Sequence, residues 1–216
     1  MRRGWKRKME TGKIKLVAAD MDGTLLNRDR KITQYTQNVI KKAMAQGVYF
    51  VPATGRAVNA LPPELKEMEG IRYGIFSNGA TIYDLKEEKV IYKNHFEMDR
   101  VLELMDFLKQ FDLMESISLN GQSYANKKEM ENIDYYELDS NTKAIVQGSR
   151  VLVDDLEMFV KEQSTTVEKT TLLFKTMEER RRAADALSKI EDIQFSSSLP
   201  KLSLIHISEP TRPISI

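Results

Sequence analysis

The sequence predicts an α/β protein, a parallel-sheet core followed by a smaller α/β module, and three observations predict it. Short apolar runs at 14–19, 48–51 and 73–76 each end at a turn signal, the pattern of strands buried in a parallel sheet. An amphipathic stretch at 33–46 joins the first two and is long enough for a crossover helix. From about His95 the order changes to helix, hairpin, helix, strand, helix and strand, which describes a separate module.

The elements follow in chain order. The first strand, 14–19, runs into Asp20-Met21-Asp22-Gly23-Thr24. After a polar loop, Thr33 offers an N-cap for a helix through Gln46, with Val39, Ile40, Ala43 and Met44 on one face and Gly47 as the stop. The second strand ends in Pro52-Ala53-Thr54-Gly55-Arg56. A right-handed crossover sets both strand ends on one edge of the sheet, so Thr54 comes close to Asp20. Pro62-Pro63 opens a short helix over 64–69. The third strand ends at Ser77-Asn78-Gly79, and 80–83 with 89–92 form a hairpin leading out of the core.

In the second module, 98–111 is helical with Val101, Leu102, Met105 and Leu108 on one stripe. Asn120-Gly121 turns a hairpin, and 127–138 is acidic and ambiguous. A helix is expected over 151–163, carrying Leu152, Leu156, Phe159 and Val160, then a strand over 170–174. Thr176 and Glu179 make a capping box opening a helix to Ile190, with Arg180, Arg181 and Arg182 on its solvated face. The last convincing strand is 193–196. His95 and His206 lack acidic or histidine partners at ligand spacing and read as structural.

Asp20 and Asp22 carry the chemistry. Ligands of open parallel sheets bind beyond the carboxyl ends of strands, where Asp20 stands. One carboxylate can attack phosphorus and form an aspartyl-phosphate; a second can pass a proton to the leaving oxygen and take one from water. Gly23 lets the backbone bend so that N–H groups face phosphate oxygens. Two acids beside a dianion call for a divalent cation, Mg²⁺. The plainer reading is an Asx turn closing a strand, and at Thr54 and Asn78 a capped loop and a tight turn.

Read with Ala53-Thr54-Gly55-Arg56 and Ser77-Asn78-Gly79-Ala80, the segment 20–26 resembles the haloacid dehalogenase superfamily, and within it the Cof-type (subclass IIB) sugar-phosphatase-like hydrolases. The resemblance implies a Rossmann-like parallel-sheet core with an inserted α/β cap domain that covers the site and selects substrate. It implies Asp20 as nucleophile and metal ligand, and Asp22 as acid/base and, through its carbonyl, metal ligand. Thr54 would bind the transferring phosphoryl group, with Gly23, Thr24, Gly55, Arg56 and Asn78 around it. The implied activity is Mg²⁺-dependent hydrolysis of a small phosphorylated metabolite such as a sugar phosphate. A phosphosugar mutase, a non-catalytic phosphometabolite binder and an inactive fragment are the alternatives.

The family's later lysine and Gly-Asp-x-x-Asn-Asp-like loop have no counterpart: after Lys201 the only acid is Glu209. The core is therefore expected to be incomplete, with its second half missing, an exposed apolar edge, weak metal affinity and little turnover. The segment 202–212 resembles a frame translation of a transposase sequencing adapter, so 198–216 is expected to be an aberrant tail. The expected division is a basic leader over 1–12, core over 13–94 and cap over 95–197. Met9 is an alternative start of translation.

Composition narrows the classes. With 33 Lys and Arg against 32 Asp and Glu, the net charge of +1 argues for neither nucleic acid nor an acidic membrane. The absence of cysteine excludes disulfides and thiolate metal sites and fits a cytoplasmic protein. No apolar run reaches a membrane span, and no apolar h-region follows the basic start. Oligomeric state and the particular substrate are not legible.

Overall fold

A computed structural model of the protein describes residues 14–207 apart from Arg28 and Pro200. Its first unit is a sheet of β1 (Leu16–Asp20), β2 (Tyr49–Ala53), β3 (Tyr73–Phe76), β4 (Thr81–Asp84) and β5 (Lys89–Lys93), in that spatial order. The first three strands are parallel and the last two return antiparallel. Helices α1 (Gln34–Ala45) and α2 (Pro63–Lys66) connect the parallel strands. As expected, the Thr33 hydroxyl caps α1 by accepting from the Thr36 N–H at 3.2 Å. Met21, Ile40, Phe50, Leu65 and Phe76 are among the buried residues of this unit's core.

The second unit begins with α3 (Met98–Leu108), β6 (Leu113–Leu119), β7 (Gln122–Asn126) and α4 (Lys127–Glu131). It continues through α5 (Ser140–Gly148), β8 (Arg150–Val153), α6 (Leu156–Lys161), β9 (Val167–Phe174), α7 (Met177–Leu187), β10 (Ile193–Leu199) and β11 (Leu202–Ile207). Its sheet has the order β10-β11-β9-β6-β7-β8. One face packs on α3, α6 and α7 through Val101, Leu108, Leu156, Val160, Leu172, Phe174 and Leu187. The opposite face is covered at one end by Met130, Ile133, Tyr136 and Val146 over Met114, Ala125 and Leu173.

Three expectations are corrected and one ambiguity is resolved. The helix expected over 151–163 is a strand, β8, followed by the shorter α6; Asp155 accepts from the Met158 N–H at 2.9 Å and so starts the helix five residues late. The ambiguous 127–138 is α4 plus a single 3₁₀ turn, and α5 was not anticipated. The last strand is not 193–196: β11 lies between β10 and β9, with Leu202, Ser203 and Ile205 buried. Arg180, expected on a solvated face, donates Nε–H to the Ser203 hydroxyl at 2.8 Å. The basic leader and positions 208–216 of the expected tail lie outside the described residues. No described helix is long and apolar enough to cross a membrane.

Candidate active site

Parallel pairing of β1 and β2 sets Asp20 opposite Ala53, so Asp20 and Thr54 leave the sheet at the same end. Asp20 is exposed there. The chain then closes a tight turn over Met21–Leu25, the Leu26 N–H donating to the Met21 carbonyl at 2.9 Å. Gly23 has φ +80°, and a Cβ there would meet nothing within 4 Å. Glycine is required at this turn for its left-handed conformation, not for space.

Thr54 is buried; its N–H donates to the Ile75 carbonyl at 2.9 Å and its hydroxyl accepts from the Arg56 N–H at 3.2 Å. Asn78 returns to the same loop, donating its N–H to the Thr54 carbonyl at 3.1 Å. Ser77, Asn78 and Gly79 are consecutively left-handed at φ 51°, 61° and 96°. For the two non-glycine residues this costs roughly 1 kcal/mol or more each, so surrounding contacts must hold the loop in shape. A Cβ on Gly55 would lie 3.0 Å from Asn78 Oδ1, so a side chain there would press the Asn78 amide aside by a few tenths of an ångström.

Arg56, expected beside the phosphoryl group, is paired with Asp22. It donates Nη2–H to Asp22 Oδ1 at 2.7 Å and Nε–H to Asp22 Oδ2 at 3.0 Å, a bidentate pair across the mouth of the turn. Thr24 is exposed beside it. Asp20, Asp22, Gly23, Thr24, Thr54, Gly55, Arg56 and Asn78 thus converge on one sheet edge.

Two residues that sequence reasoning missed join them from the second unit. Lys169, buried at the start of β9, donates Nζ–H to the Gly55 carbonyl and to Asn78 Oδ1 (3.3 Å for the latter). Burial, with Arg150 nearby, pushes its ammonium down to about 8. Buried Glu168 accepts from the Ser77 hydroxyl and, at 2.7 Å, from the Gly121 N–H. The available signal was a Glu-Lys pair directly before the strand expected over 170–174. A cavity of about 620 Å³ opens nearby between β4–β5 and the second unit; none of the expected site residues lines it.

A family profile of haloacid dehalogenase-like hydrolases matches residues 17–206. The chain belongs to that family. A putative phosphatase of Buchnera aphidicola subsp. Schizaphis graminum is 36% identical over 121 residues, 55% of this chain and 43% of that protein. The 5-amino-6-(5-phospho-D-ribitylamino)uracil phosphatase of Bacillus subtilis is 36% identical over 89 residues, 39% of this chain and 36% of that one. The chain thus spans under half the length of these curated relatives. A haloacid dehalogenase-like hydrolase from B. subtilis shares the fold with a TM-score of 0.74 at 20% identity, covering 90% of this chain and 73% of its own. A subclass IIB sugar phosphatase superposes with a TM-score of 0.67 at 20% identity, over 89% and 70% of the two chains. The Cof-type α/β core and cap architecture is therefore that of this chain.

Proposed function

We propose that the chain carries the nucleophile-bearing half of a phosphomonoesterase acting on a small phosphorylated metabolite. The observation that supports it most is the placing of an exposed, unencumbered Asp20 at the same sheet edge as Thr54 and Asn78. In the first step an Asp20 oxygen bonds to phosphorus while the ester P–O bond breaks, and Asp22 gives its proton to the departing oxygen. In the second, Asp22 takes a proton from water, whose oxygen displaces the Asp20 carboxylate and frees inorganic phosphate. Both Asp22 oxygens accept from Arg56, so Asp22 must turn off the guanidinium to serve the leaving group. The Thr54 hydroxyl and neighbouring N–H groups orient the phosphoryl oxygens.

Mg²⁺ fits this edge in donor type, since Asp20 offers carboxylate oxygen and Asp22 its main-chain carbonyl. Bound there, the ion would offset the negative charge crowding the phosphoryl group. Among the described residues no group of three or more acidic or histidine side chains stands ready for a metal, so binding by this chain is weak. That same shortage, with the Asp22–Arg56 pair, favours a second reading: phosphometabolite binding without turnover. Hydrolysis of an aryl phosphate with Mg²⁺ separates them. The phosphatase reading expects turnover that falls about 1,000-fold or more in Asp20→Asn; hydrolysis undiminished by that change overturns it. Binding of a phosphate ester without turnover supports the second.

A further inference from the structure

The part of the second sheet that meets the core loops carries two buried or half-buried cations, Arg150 and Lys169, against one buried acid, Glu168. Backbone register sets Arg150 on β8 opposite Ser123, Ser123 opposite Ser118, and Ser118 opposite Lys169, a single row across four strands. At roughly 4.8 Å per strand the row's ends are about 14 Å apart, near enough for two long side chains to lean together. Arg150 does lean inward, donating Nε–H to the Ser116 hydroxyl at 2.9 Å and Nη1–H to the Val146 carbonyl at 2.7 Å and the Ser149 hydroxyl at 3.3 Å. Its Nη2 has no hydrogen-bond partner among the described residues.

Burial holds Arg150 below the usual guanidinium range, to about 10, and Arg150 in turn lowers Lys169. Neither cation forms an ion pair among the described residues. Glu168 is the nearest acid in sequence, but its oxygens are taken by Ser77 and Gly121. Ser118 and Ser123, 2.8 Å apart, and Thr171 opposite Ser116 line the same face with hydroxyls. Two desolvated cations beside a single acid leave one positive charge in excess, which is costly unless something anionic completes the set. Lys169 at the same time touches Gly55 and Asn78, so the row abuts the phosphoryl-binding edge.

We propose that this row is a subsite for a second anionic group, a carboxylate or phosphate, on the alcohol portion of the substrate. Arg150 and Lys169 bind that group and the serine hydroxyls orient it, so the preferred substrates are phosphate esters with two anionic ends. The inference rests on the phosphoryl-binding reading of the Asp20 edge. It is a claim about what the second unit selects, not about the chemistry.

Calorimetric titration of the 216-residue chain with 3-phosphoglycerate and with glycerol 3-phosphate tests it, since the two differ chiefly in one carboxylate. The expected result is about tenfold tighter binding of the phosphoglycerate, an advantage removed by Arg150→Gln and largely kept by Arg150→Lys. Circular dichroism confirms that each variant is folded; if Arg150→Gln is not, Ser118→Ala with Ser123→Ala takes its place, with a loss of about threefold expected for the phosphoglycerate alone. Equal affinities for the two probes, or losses equal for both in the variants, overturn the proposal. If neither probe binds, or Thr54→Ala leaves both affinities unchanged, the phosphoryl-binding reading itself fails instead.

Discussion

β1 is apolar at four of its five positions and β9 at only four of its eight, yet β9 is buried at all eight and β1 at none of its five. β9 runs between β11 and β6 under three helices. β1 is the edge of its sheet: Leu16 and its cross-strand partner Tyr49 are 56% and 59% exposed, and Ile14 just before it is 67% exposed. Side-chain chemistry alone does not decide burial; the number of neighbouring layers does. The candidate nucleophile therefore sits on the thinly covered strand, and the residues that brace its site come from the thickly covered one.

The largest effect that sharpens this contrast is in the second core. Phe174 is fully buried, so Phe174→Ala should cost about 3–5 kcal/mol in urea denaturation. Leu16→Ala should cost about 0.5 kcal/mol or less. Equal costs would break the comparison. A smaller effect is expected where the units meet. Glu168→Gln turns an amide N–H toward either the Ser77 hydroxyl or the Gly121 N–H, leaving one buried donor unmet at about 2 kcal/mol. Hydrogen exchange at 77–80 should quicken while exchange in β6 stays slow; protection unchanged at 77–80 would show that Glu168 does not brace the loop.

The smallest effect concerns pH. The Glu115 carboxyl on β6 has a buried Oε1 with no hydrogen-bond partner, and burial with Glu129 on α4 and Glu157 on α6 nearby raises it to about 8. Glu129 is raised by burial to about 7. Both folded-state values lie above the ordinary 4.5, so the folded chain holds protons that the unfolded chain has released. Stability is greatest near and below pH 4.5 on this account and declines as pH rises toward 8. Glu115→Gln should flatten that decline and gain on the order of 1 kcal/mol at pH 8, read from denaturation midpoints at pH 5 and 8. A decline that keeps its slope would refute the assignment.

Much of the core and its edge was legible because it rests on local signals. Asp20 follows an apolar run, Thr33 caps a helix, and the crossover rule sets Thr54 beside Asp20. What was illegible depends on distant partners. Leu152, Leu156, Phe159 and Val160 have helical spacing, yet Val151 and Leu152 pair with β7 and only Asp155 marks where the helix begins. The polar run of α5 carries few apolar residues to reveal it. Lys169 and Arg150 look like ordinary surface cations until four strands line up beneath them.

The left-handed run at Ser77, Asn78 and Gly79 has a consequence for how the protein is divided. Its shape is kept by Glu168 gripping Ser77 and by Lys169 touching Asn78, both donated by the other unit. The loop is tied to its own unit by the Ser77 and Asn78 N–H groups and to the other by two buried ions, so parting the units would leave this edge of the candidate site held from one side alone.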